Sequence, residues 1–101
     1  METCLSQNQE SLVQKAVLRV RAGYEARTEL GSLLQSLFPS EDSTFLDYWA
    51  GFCYVQFRNS SEPSKREWIL RNMVSEVSSG SAHTWYSSYL RERERKSVYV
   101  Y

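Results

Sequence analysis

The side chains able to do covalent or acid–base chemistry are few and scattered. The sole histidine, His83, lies in a Ser- and Gly-rich stretch, and the two cysteines, Cys4 and Cys53, are far apart in the chain. A metal centre draws several His, Cys or carboxylate ligands from short, regular spacings, and no such set occurs. Cys53 and His83 would make a nucleophile–base pair if folding joined them. However, Cys53 sits in the run Gly51-Phe52-Cys53-Tyr54-Val55, where a thiol is expected to be a small buried hydrophobe rather than an exposed nucleophile. Asp42, Asp47, Glu62 and Glu67 show no spacing that selects a carboxylate pair for proton transfer. No Gly-rich phosphate loop is present. The expectation is a chain with no catalytic role, no cofactor and no metal.

Aromatic and basic groups offer a different chemistry: stacking and charge pairing. Aromatics make up 14% of the 101 residues, and seven are tyrosines, which sit comfortably half exposed on a binding surface. Lys and Arg together equal Asp and Glu, so no global field draws a polyanion. The balance is uneven along the chain. Residues 1–51 carry four bases against seven acids, net −3, and residues 52–101 carry eight bases against five acids, net +3. The C-terminal run Arg91-Glu92-Arg93-Glu94-Arg95-Lys96 alternates in sign, as a solvated helix or turn does.

The elements that must position these groups fit one domain, with residues 1–14 as a polar tail or short helix and residues 15–101 as the folded unit. Apolar content of 42% is enough for a core. No basic-then-apolar leader and no run of about 20 apolar residues is found, so the expectation is an intracellular location, cytoplasmic or nuclear, away from the membrane. Leu18, Val20 and Ala22 alternate with Arg19 and Arg21, which is strand periodicity, and Gly23 would end that strand. Leu30, Leu33, Leu34, Leu37 and Phe38 recur at three and four, predicting a helix over 25–38 closed by Pro39. Residues 44–49 are short and aromatic, and 51–58 are dense in β-formers. Ser64-Lys65-Arg66-Glu67 has the form of a capping box, followed by the helical stripe Leu70, Met73, Val74 and Val77 and by Gly80 as the stop. Trp85, Tyr86, Tyr89 and Leu90 have helical spacing, and Ser97-Val98-Tyr99-Val100-Tyr101 is the most strand-like stretch.

The order strand, helix, strand, strand, helix, strand is the βαββαβ pattern of a ferredoxin-like α+β sandwich, with two helices on one face of an antiparallel sheet. An all-α helical bundle competes with it, because Phe45, Tyr48, Trp49, Phe52 and Cys53 also fit one helix face.

Within the first pattern, Ala50-Gly51-Phe52-Cys53-Tyr54-Val55-Gln56-Phe57 resembles the signature of the third strand in the RNA recognition motif, with Ala50 where the basic residue belongs. The companion position on the first strand departs too, since Arg19 stands between Leu18 and Val20 where an aromatic is usual. The resemblance implies that Phe52, Tyr54 and Gln56 face an open sheet, where the two rings stack bases of single-stranded RNA. Cys53, Val55 and Phe57 would then lie beneath the helices, and Arg19, Arg21 and Arg58 would neutralise phosphates. The alternative from another class is a protein-interaction adaptor or small subunit, of the same or a helical fold. In that case the aromatic residues, including Trp85, Tyr86 and Tyr89, meet a protein partner or a second copy of the chain as a homodimer.

Overall fold

The computed structural model describes residues 5–98, which form five α-helices and, among the described residues, no strand. The helices are α1 (Gln7–Arg21), α2 (Ala26–Leu37), α3 (Ser43–Arg58), α4 (Pro63–Ser79) and α5 (Ser81–Val98). The ferredoxin-like sandwich and its RNA-recognition sheet are therefore corrected to the all-α alternative. Residues 7–14 form the first two turns of α1, which runs on without a break through residues 15–21.

The physical reason for the correction is visible helix by helix. In α1, Val13, Ala16 and Val17 are buried and Val20 packs beside them, a spacing of three and four. That stripe outweighs the short Leu18/Val20 alternation that suggested a strand, and Leu18 turns to solvent. A capping box starts the helix: the Ser6 hydroxyl accepts the Gln9 N–H, and the Gln9 side chain accepts the Ser6 N–H. In α3, Asp42 caps the first turn through the Phe45 N–H. Phe45, Leu46, Trp49, Ala50, Cys53 and Phe57 are then buried in sequence. Cys53 and Phe57 are buried in either conformation, so they do not discriminate. Val55 does: a strand would place it in the core with them, and it is 46% exposed. The stretch Ser97–Tyr101, expected as a final strand, begins inside α5, and residues 99–101 lie outside the described residues.

The helix expected over 25–38 and the one expected between the Ser64 cap and Gly80 are present as α2 and α4. Leu30, Leu33 and Leu34 of the first and Leu70, Met73, Val74 and Val77 of the second are buried. The start of α4 differs from its expected capping box. Pro63 occupies the first turn, where its missing N–H costs nothing, and Glu62 is the cap residue without a side-chain bond. Gly80 does end α4, at φ +92°, a left-handed conformation that a side chain would strain.

Short connections make successive helices antiparallel neighbours. α1 packs on α2, α2 on α3, α3 on α4, and α4 closes the ring on α1. The core fills this four-helix ring, with Val13, Leu30, Leu34, Leu46, Trp49, Leu70, Met73 and Val74 wholly enclosed. Ion pairs tie its rim: Arg71 of α4 bridges Glu10 of α1 and Glu67, and Arg27 of α2 holds Asp47 of α3 at 2.8 Å. Gly51, expected to serve a strand signature, has a different use. The Arg27 guanidinium lies 3.7 Å from where a Cβ at Gly51 would stand and 3.4 Å from the equivalent point at Gly31. The guanidinium thus packs over both glycines between α2 and α3, at distances where a Cβ would still be in ordinary contact. Outside the ring, α5 crosses α3 and α4, and the described chain extends over 47 × 26 × 25 Å.

Candidate interaction face

The junction of α3 and α5 gathers half of the chain's fourteen aromatic side chains. Helical spacing puts Phe45, Tyr48, Trp49 and Phe52 along one side of α3, and Trp85, Tyr86 and Tyr89 along one side of α5. Their rings interleave. Phe45 lies 5.3 Å from Tyr86, Tyr48 lies 5.1 Å from Tyr86 and 4.5 Å from Tyr89, and Phe52 stacks at 5.3 Å on Trp49 and at 6.2 Å on Trp85. These separations fall in the favourable range for aromatic pairs. Burial against this cluster pushes the Tyr48 phenol up from its ordinary value, with the neighbouring Tyr89 adding to the shift.

The ladder has an enclosed end and an open end. Phe45 and Trp49 belong to the core, and Tyr48 and Tyr86 are half-buried against it. The outer members reach solvent: Phe52 is 37% exposed, Trp85 55%, Tyr89 39% and Leu90 38%, with Val55 one helical turn beyond Phe52 on α3. Exposed apolar side chains gathered in this way fall within the range that monomeric proteins carry, and such patches often serve in binding.

The residues expected to bind RNA are not brought together as a site. Phe52 joins the ladder, Tyr54 is half-buried on the opposite side of α3, and Gln56 is exposed. Two residues along a helix are about 200° apart, so the alternation that would have aligned Phe52 with Tyr54 separates them instead. Arg19 pairs with the nearly buried Glu29 at 2.7 Å and lies 4.0 Å over the Tyr24 ring. That carboxylate raises the Arg19 pKa further, so the guanidinium is engaged within the fold. Arg21 and Arg58 are exposed in the last turns of α1 and α3, where cations complement the helix dipole. Trp85, Tyr86 and Tyr89 were legible in the sequence as a helical stripe. Tyr48 was legible as part of a helix face on α3. Their meeting depends on how α5 crosses α3.

The nucleophile–base pair is not assembled either. His83 Nε2 is 2.9 Å from Glu41 Oε1, and its ring stacks on Phe45 at 4.3 Å, which pins the start of α5 to the α2–α3 connection. Cys53 is buried under α4. Burial, with a smaller contribution from Glu76, pushes its thiol up to about 12. Because the folded thiol titrates above its ordinary value, its protonated form contributes stability below pH ~9, and that contribution is lost as the pH rises towards 12. In a Cys4→Ser background, alkylation by iodoacetamide at pH 8 is expected to be slowed at least about tenfold relative to the chain in denaturant. Equal rates in the two conditions would contradict the buried assignment.

Among the described residues no group of three or more His, Cys, Asp or Glu side chains is placed to hold a metal ion, and no helix is long and apolar enough to cross a membrane. No family model matches the chain, and comparison with curated proteins and with solved structures finds no match.

Proposed function

We propose that the chain is a small helical protein-interaction module with no catalytic role, and that its partner docks on the α3/α5 face. The observation that carries this reading is the patch of Phe52, Val55, Trp85, Tyr89 and Leu90, left open at the end of an otherwise packed aromatic ladder. Trp and Tyr are the residue types that dominate binding energy at protein interfaces, where a ring is covered by a partner and its polar tip meets the rim. The same patch lacks the features of a reaction centre: the nearest histidine is held by Glu41, and the cysteine is buried and neutral.

Site-directed photo-crosslinking in cells tests the reading. A photoreactive phenylalanine analogue in place of Trp85 or Phe52 is expected to give protein adducts, and the same analogue at the exposed Lys15 or Lys65 is not. Substituting Trp85 with serine in a chain labelled at Phe52 is expected to reduce adduct yield on the order of tenfold, since truncating an aromatic anchor typically costs 2 kcal/mol or more of binding, roughly thirtyfold in affinity. Equal labelling at all four positions, or adducts to nucleic acid alone, would overturn the proposal.

A further inference from the structure

A groove between α1 and α4 lies apart from the aromatic ladder. Val17 and Val20 of α1, Phe57 at the end of α3 and Leu70 of α4 wall it with apolar surface. Val17, Phe57 and Leu70 belong to the buried core, so the packing of the ring fixes its floor. Its cavity measures about 110 Å³. Leu18, three residues before Arg21 and on the same side of α1, is 59% exposed.

The charged side chains on this groove are Arg21, Arg66 and Glu67, and they are unevenly satisfied. Glu67 is engaged: its Oε2 accepts from Gln14 Nε2 and from Arg71 Nη2, each at 3.1 Å. Neither Arg21 nor Arg66 has an ion-pair partner among the described residues. Arg66 is nevertheless held in place. Its Nε donates to the Ser60 carbonyl at 2.6 Å, and its guanidinium lies 5.0 Å over the Phe57 ring. Its terminal nitrogens make no hydrogen bond among the described residues.

We propose that this groove binds an acidic peptide segment, which seats a branched aliphatic side chain in the cavity and sets a neighbouring carboxylate against Arg21 and Arg66. Charge complementarity is the first argument. Two unpaired cations on one small rim concentrate positive potential there. A planar guanidinium meets a carboxylate with two parallel N–H donors, and one already positioned loses little freedom in doing so. Size is the second argument. An apolar cavity of about 150 Å³ takes a benzene ring. At about 110 Å³ this one is smaller, and it suits the side chain of a valine, isoleucine or leucine. Sites that enclose a whole small molecule measure roughly 300–1,000 Å³. Only an anchor is therefore enclosed, and the rest of the ligand lies along the surface, where Leu18 offers further apolar contact. The groove shares no residue with the α3/α5 face, so the inference is independent of the function proposed above.

The experiment is an NMR titration of the isotope-labelled full chain with blocked pentapeptides. The first carries Asp-Leu-Glu between two glycines. The second has glycine in place of the leucine, and the third has the amides in place of the two acids. The first is expected to saturate at millimolar concentration and to shift the amide signals of Val20, Arg21, Arg66 and Leu70. Loss of the anchor should weaken binding on the order of tenfold, since an aliphatic side chain returns to water. Loss of the acids should weaken it about fivefold, and salt should weaken the first peptide but not the third. With Arg21→Gln and Arg66→Gln together, the first and third peptides should bind alike. Circular dichroism checks that this variant folds. If the Arg66 contact with Phe57 proves necessary for folding, Arg21→Glu, at an exposed position, carries the test with the same expected loss. Val20→Phe fills the cavity from its edge and should abolish the preference for leucine over glycine. The proposal is overturned if the first peptide leaves the groove amides unshifted, or if all three peptides bind equally. Isocaproate, a free branched acid, binding as tightly as the first peptide would assign the cavity to small acids and overturn the peptide reading.

Discussion

Trp49→Ala is expected to lower the free energy of unfolding by about 3–5 kcal/mol. Trp49 is 1% exposed at the centre of the ring, the largest side chain wholly enclosed there. Its Nε1–H donates to the Met73 carbonyl at 3.1 Å, joining α3 to α4 through a buried hydrogen bond. Alanine removes the indole volume and leaves a cavity that the neighbouring helices close only in part. It also deletes a hydrogen bond worth about 1 kcal/mol. Domains of this size have about 5–15 kcal/mol in all, so the variant should be near or past its unfolding midpoint at moderate denaturant. Trp49→Phe separates the two contributions, since it keeps most of the apolar contact and loses the donor. Equilibrium urea unfolding followed by circular dichroism is the measurement. A loss under 1 kcal/mol for Trp49→Ala would mean that α3 does not bury this face.

The second large effect is on α4. Met73→Asp is expected to destabilise the fold by several kcal/mol, in the range typical of an unpaired charge placed in a core. Met73 is 1% exposed, between Ile69, Leu70, Val74 and Val77 of the buried α4 stripe. No cation is among these neighbours to hold the new carboxylate. The effect has a pH signature with a definite sign. Burial raises the folded-state pKa of the introduced carboxyl above its unfolded value near ~3.9. Its neutral form is therefore favoured in the fold, and stability is lost as the pH rises above ~4. The deficit relative to the parent should be smaller at pH 4 than at pH 7. A deficit that grew on acidification, or a thermal midpoint equal to that of the parent, would place Met73 on the surface. Because Trp49 donates to the Met73 carbonyl, the two substitutions share a site, and their effects should not add.

Both predictions concern contacts between α3 and α4, and these two helices differ in how far they could be read beforehand. For α4, Leu70, Met73, Val74 and Val77 repeat at three and four between a turn rich in Ser and Pro and a glycine, and no other element fits. For α3 a short window does not discriminate between strand and helix. Over residues 51–57 a strand and a helix bury the same Cys53 and Phe57, so β-propensity and a family-like pattern carried the reading. Extending the window back to Phe45 and Leu46 adds Trp49 and Ala50, and the positions 45, 46, 49, 50, 53 and 57 follow helical spacing alone. The same holds for α1, where Val13 sits outside the short alternation of Leu18 and Val20 and restores the period. The interaction face was half legible: Trp85, Tyr86, Tyr89 and Leu90 stood out as a stripe, whereas of the arginines expected to meet phosphate Arg19 is paired with Glu29 and Arg21 and Arg58 stand exposed at helix ends.

By itself the sequence determined that the chain has enough apolar residues for one core, that 25–38 and the segment after Pro63 are amphipathic helices, that Gly80 stops one of them, and that Cys53 lies inside. These follow from local periods and backbone sterics, which need no knowledge of the rest of the chain. Only the tertiary structure decided that residues 51–57 are helical, that Arg27 packs over Gly31 and Gly51, and that α5 lays Trp85 and Tyr89 against Phe52 and Tyr48. The reason is that marginal segments adopt the conformation whose apolar face a neighbour can cover. Which neighbour is present depends on how four helices close into a ring and where the fifth crosses it.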